Sequence, residues 1–152
     1  MFQHKLQLLP LVVIMVFLPV SFYLGYTPLL ITYIYLFFSL SSCLIYAIDK
    51  RAARKQKQRV AENTLHIFSI LSGWPGAILA QQWLRHKTQK KSFRRLFWTT
   101  VLFNCGLLFW LHTETGSIVL HALISALNQF VQQTLSGTIL GEVILALTVF
   151  RA

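Results

Sequence analysis

Acidic residues are scarce. Asp49, Glu62, Glu114 and Glu142 are the four acids in 152 residues, against fourteen Lys and Arg, so the formal charge is +10. Cysteine is scarce as well: Cys43 and Cys105 stand far apart inside apolar stretches, with no CxxC or other ligand spacing, which reads as two free, buried thiols and excludes a thiolate metal site. His66 and His86 have no His or Cys neighbour at metal-binding spacing, and the cations around them would repel a metal, so no metal and no cofactor are expected. HExxH, G-x-S-x-G and the phosphate-binding P-loop are all absent, and no catalytic residue is assigned. Charge of either sign is missing from long runs, and those runs are what the chain has in abundance.

The sequence is 55% hydrophobic and 12% charged, with a mean hydropathy of +0.59, far from the composition of water-soluble domains. Several apolar runs reach the length needed to cross a bilayer. The expected fold is an all-α membrane protein, a polytopic helical bundle in one domain with about four transmembrane helices and one broken segment. The first span covers 6–24, with Pro10 in its first turn and Pro19 as a kink; it lacks a small-x-small cleavage pattern and so reads as an uncleaved helix. A turn at 25–28 leads to a second span, 29–48, and a third full span covers 96–112. The tail, 117–150, divides at Gly137. Its first half places His121, Ser125, Asn128 and Gln132 within about 60° on a helical wheel, a stripe for an interface or a helix neighbour. Its second half, 135–150, is apolar, and if it spans, Arg151 returns to the cytoplasm.

Twelve of the fourteen cations fall in two blocks, six within Lys50–Arg59 and six within Arg85–Arg95. Cationic loops flanking spans stay in the cytoplasm, so loops 49–63 and 85–95 are both expected there, with the N-terminus, in a bacterial inner membrane. The segment between them, 64–84, is long enough to cross as one helix, yet crossing would strand the second block outside. Pro75 also interrupts it, within the tip Gly73, Trp74, Pro75 and Gly76. A re-entrant pair of half-helices meeting at that tip satisfies the charge rule; a kinked full span is the alternative. Asn63 or Thr64 suits the helix N-cap at its start.

These blocks carry a resemblance. Asp49-Lys50-Arg51-Ala52-Ala53, Arg59-Val60-Ala61-Glu62, Gly73-Trp74-Pro75-Gly76-Ala77 and Arg85-His86-Lys87-Thr88 with Lys90, Ser92 and Phe93 resemble, in order and spacing, an uncharacterised bacterial integral-membrane family, the domain of unknown function numbered 1294. The resemblance covers roughly residues 30–112. It implies a membrane protein without an assigned activity. Some members resemble fusions to an N-terminal cold-shock domain, where this sequence has an apolar helix instead. Two departures stand out: Ala61 replaces a common proline or serine, and Ser72 stands where the family often has a second glycine.

Two sets of polar residues are candidates. Arg85, His86, Lys87 and Thr88, with the helix start near Thr64, would form an anion site for lipid phosphate or a carboxylate. Asp49, Lys50, Arg59 and Glu62 would form a structural charge network that pins the blocks together. Membrane lipids, preferably anionic, are the expected partners, with a homo-oligomer or a membrane-protein partner as further candidates. Nucleic acid is disfavoured because residues 50–59 offer no aromatic for stacking. A non-enzymatic membrane protein with a basic, anion-binding cytoplasmic face is therefore expected. A small transporter or channel subunit using the broken helix is the alternative, and a lipid-headgroup enzyme is third.

Overall fold

The computed structural model describes residues 8–84 and 91–151. Among them every regular element is helical: α1 (Leu9–Tyr23), α2 (Leu29–Arg54), α3 (Glu62–Phe68), α4 (Trp74–Leu84), α5 (Lys91–Leu111), α6 (Glu114–Leu135) and α7 (Ile139–Thr148). A widened turn, Ser69–Gly73, joins α3 to α4.

The helix ends follow local chemistry. Past α1 the chain reverses at Gly25, in the left-handed region at φ +78°, while Tyr26 N donates to the Ser21 carbonyl and Gly25 N to that of Phe22. Such paired bonds retire carbonyls that the helix end would otherwise leave open. Helix α2 ends the same way at Gln56 (φ +51°), where Lys57 N donates to the Ala52 carbonyl and Gln56 N to that of Ala53. Arg51 and Arg54 occupy the last turn of α2, where cations complement the helix dipole. Thr113 and Thr138 cap α6 and α7, each side chain accepting from a backbone N–H three residues on.

Several boundaries differ from expectation. Helix α2 runs on to Arg54, six residues past the expected end, because Asp49 through Arg54 includes good helix formers and a favourable cationic last turn. Helix α5 starts at Lys91, inside the second basic block. Helix α3 starts at Glu62 with Ala61 as its N-cap, so Asn63 and Thr64 lie within its first turn. The apolar end of the tail yields ten helical residues, α7, about 15 Å long and too short to cross a bilayer. Arg151 then lies over the Tyr23 ring, 4.0 Å from its centroid, beside the 25–28 turn at the opposite end of α1 from the N-terminus.

Span number is the principal difference. One helix, α2, is by itself long and apolar enough to cross; α5 and α6 pass that test only as a pair, and they are bent by 89° at the break between them. Helices α1 and α7 are apolar but short. The fold is thus all-helical among the described residues, with one or two such spans where about four were expected.

The chain forms two compact units. The first comprises residues up to Met15 and Ile34–Cys105, with Leu65, Trp74, Ala77, Ile78, Phe93, Phe97 and Val101 buried. The second comprises Val16–Tyr33 and Gly106–Ala152, with Leu18, Leu108, Leu120, Ile124 and Val131 buried.

Candidate functional site

Polar residues recur along α2 at positions 35, 39, 42, 46 and 49, spacings of four and three that place them on one helix face. In the first unit this face points inward. Four residues of α2 are buried, Tyr35, Ser42, Tyr46 and Asp49, and each carries a polar group. The opposite face carries Phe37, Leu40, Leu44 and Ile48, between 56% and 65% exposed. A helix in water would have the reverse arrangement.

At one end of this seam, Asp49 is fully buried and its Oδ1 accepts from Val60 N at 3.1 Å, with Arg59 Nε at 3.5 Å. The carboxylate therefore folds the loop after α2 back onto the helix. Lys50 and Glu62, the other members of the expected network, lie half-buried at the end of α2 and the start of α3. Next along the seam, the Tyr46 hydroxyl accepts from Gln81 Nε2 at 3.2 Å, a link between α2 and α4.

The far end of the seam meets the break between α3 and α4. Leu71 and Ser72 leave helical geometry there, Ser72 at φ +73°, a region that favours glycine. Glycine would take this conformation without strain. The break therefore lies just before the expected tip. Trp74, Pro75 and Gly76 form the first turn of α4, where proline lacks only an N–H that the helix would not use.

Gly73 and Gly76 serve close approach rather than a left-handed turn. A Cβ on Gly76 would overlap the Ser39 carbonyl, and one on Gly73 would meet Ser42 Oγ and the carbonyls of Phe38 and Phe68. The broken segment is thus pressed against α2 along the seam.

Asn104 of α5 holds the break together. Its Nδ2 donates to the Ile70 carbonyl (3.1 Å) and the Thr100 carbonyl (3.0 Å), and its Oδ1 accepts from the Tyr35 and Ser72 hydroxyls, both at 3.3 Å. All of its hydrogen-bonding capacity is engaged. Ser69 satisfies itself locally, donating to the Leu65 carbonyl at 2.9 Å. Neither Asn104 nor the α2 seam was singled out from sequence, although the spacing of 35, 39, 42, 46 and 49 within an apolar run was visible there.

Arg85, His86, Lys87 and Thr88 lie outside the described residues. Of the proposed anion site this leaves Thr64, whose N–H donates to the Ala61 carbonyl at 3.1 Å, and α3 has seven residues, a short base for an anion-attracting dipole. Among the described residues no three of His, Cys, Asp and Glu are grouped as metal ligands.

The second unit has its own polar centre at the 25–28 turn. His112 Nδ1 lies 2.7 Å from the Leu108 carbonyl and Nε2 2.8 Å from Ser21 Oγ, which lies 2.7 Å from Thr27 Oγ1. The rings of Phe17 and Tyr26 flank the imidazole at 5.0 and 5.3 Å. The polar stripe of α6 turns toward the returning tail: His121 stacks on Phe150 at 4.1 Å, and Asn128 Oδ1 accepts from Thr148 at 2.7 Å.

Residues 39–93 match the model of a family described as "Protein of unknown function (DUF1294)", a narrower stretch than the 30–112 of the resemblance. Fifty residues, 33% of the chain, are 40% identical to the "Uncharacterized protein YsdA" of Bacillus subtilis (strain 168). The match spans 56% of that relative's length. No solved structure matches the chain. The matched stretch contains four of the five seam positions, the loop held by Asp49, the break at Ser72 and all of α4.

Proposed function

Taking as premise that residues 39–93 are a DUF1294 segment, we propose that this chain is an integral protein of the bacterial inner membrane, without catalytic activity, whose basic face holds anionic lipid. The observation that carries the reading is the inside-out character of α2. Its buried residues are polar, its exposed large residues are apolar, and its C-terminal end and the following loop bear Lys50, Arg51, Arg54, Lys55 and Lys57. Exposed apolar surface on this scale marks a surface that meets lipid or protein rather than water. A cationic cluster directly after such a helix suits anionic headgroups, each cation contributing about 1 kcal/mol at the surface.

Topology follows from the same charges. Both basic blocks face the cytoplasm, so the 25–28 turn and Arg151 face the other side. In cells expressing Gln56→Cys or Ser92→Cys, in a background lacking Cys43 and Cys105, neither thiol should react with an impermeant reagent until the membrane is opened. The protein should resist carbonate extraction, and purified protein should retain anionic phospholipid that neutralisation of Arg51, Arg54, Lys55 and Lys57 releases. Extraction by carbonate would overturn the membrane reading; retention unchanged by neutralisation would overturn the lipid reading alone.

A second reading, a small transporter or channel subunit, draws support from the break at Ser72. Interrupted helices at membrane depth persist where protein shields them or where they line a solute path.

A further inference from the structure

Within the first unit, the contacts along α2 bring both basic blocks to one end. Asp49, near the end of α2, holds Val60, two residues before α3 begins. His66 of α3 packs on Phe93 at the start of α5, their rings 4.4 Å apart. Further along α5, Asn104 meets Tyr35 of α2, which lies about 21 Å along that helix from Asp49. Helices α2 and α5 therefore run in opposite directions, and the first turn of α5 is level with the last turns of α2. Arg51 and Arg54 project from α2 there, and Lys91, Arg94 and Arg95, the described cations of the second block, project from α5; all five are exposed. Helix α4 ends here as well: Gly76 abuts Ser39 and Gln81 bonds Tyr46, so the exposed Trp83 follows at the same level.

We infer that the two basic blocks form one surface that binds a phospholipid carrying two phosphates. The inference rests on the lipid reading above and names the class of lipid. On α2, the exposed Leu44 and Ile48 share a helix face with Arg51; on α5, the exposed Leu102 shares one with Lys91 and Arg95. Each apolar face thus ends in cations, an arrangement that suits acyl chains along the helix and a phosphate at its end. Guanidinium groups take phosphate oxygens in pairs. Trp83 belongs at the headgroup level of a bilayer, which favours a membrane lipid over a dissolved anion. The cations of α5 also sit where the helix dipole opposes them, in a first turn that contains no acid. An anion reaching both blocks relieves that repulsion. With both phosphates in one molecule, binding at the first block holds the other phosphate close to the second; a lipid with one phosphate gains nothing of the kind.

The test uses the purified full chain in neutral detergent micelles doped with cardiolipin, which has two phosphates, or phosphatidylglycerol, which has one. Retained lipid is quantified by mass spectrometry across a titration at equal total phosphate, so that diffuse attraction is matched between the two. Cardiolipin should reach half-saturation at about tenfold lower phosphate concentration. Arg51→Gln with Arg54→Gln, and separately Arg94→Gln with Arg95→Gln, should each abolish that preference, because either pair alone leaves one block. All four residues are exposed and Gln is a good helix former, so helical content by circular dichroism should not change. Equal half-saturation by the two lipids, or a preference that survives loss of either pair, would overturn the inference. If phosphatidylglycerol is retained and cardiolipin is not preferred, the lipid reading stands and the inference alone fails. Retention of neither lipid would sink both.

Discussion

The two units solve the problem of interior polarity differently. In the first, hydroxyls, amides and a carboxylate are buried and joined across long sequence separations: Tyr35 to Asn104, Ser72 to Asn104, Tyr46 to Gln81. In the second, many hydroxyls donate to carbonyls three residues back, as Thr113, Ser117, Ser125 and Thr138 do, and the core is built from Leu18, Leu108, Leu120, Ile124 and Val131. The first unit needs its polar bonds to exist because it contains an interrupted helix whose freed carbonyl must be met. The second uses long-range side-chain bonds at the 25–28 turn, through Ser21 and His112, and between α6 and the returning tail, through Asn128 and Thr148. In the first unit the densest polar cluster, around Asn104, sits where the backbone is broken.

Asn104→Leu tests that contrast hardest. It removes the donor to the Ile70 carbonyl and the acceptor for Tyr35 and Ser72, leaving buried groups unmet. Unfolding by SDS titration from mild detergent should show a loss of about 3 kcal/mol, from the orphaned groups together. A loss under about 1 kcal/mol would mean the break holds without its clasp.

Glycines sharpen the comparison. Gly76→Ala drives a methyl into the Ser39 backbone and should cost roughly 2 kcal/mol by the same titration. Gly106→Ala, at the start of the second unit's part of α5, meets nothing within 4 Å and should stabilise by about 0.5 kcal/mol through helix propensity. Equal effects would show that α2 and α4 are not in close approach.

Ser21→Ala in the second unit removes the hydroxyl between His112 and Thr27 and should cost about 1 kcal/mol, because each partner retains other options near the turn. Smallest is Ser72→Gly. Relief of the left-handed backbone, about 1 kcal/mol, opposes loss of the bond to Asn104, of similar size, so the midpoint should barely move. Ser72→Val, which keeps the strain and loses the bond, should be clearly destabilised.

Much of this was legible in the sequence. Pro75 and the paired basic blocks marked 64–84 as interrupted, and the division of the tail at Gly137 follows from a glycine that the structure places at φ +77°. The exact site of the break was not, because proline tolerates the first turn of α4, while the strained residue, Ser72, stood out only as a departure from the glycine of the resembled family. The seam on α2 was hidden for another reason. Ser and Tyr barely lower the hydropathy of an apolar run, so a window average conceals a face that a spacing of four and three reveals. Span count is less legible: one or two helices meet the length and apolarity test where about four were expected, because apolar composition alone does not say whether a ten-residue stretch such as α7 turns back.

The clasp at the break also fixes an order of events during synthesis. Helices α3 and α4 have seven and eleven residues, about 10 and 16 Å, so neither half would partition into a bilayer unaided as a spanning helix. The group that receives the Ile70 carbonyl is Asn104, thirty-four residues further on. While the ribosome is still adding those residues, the Ile70 carbonyl is without this donor. The clasp can close only after α5 has emerged, so the last-made helix of the first unit completes the bonding of the earlier ones.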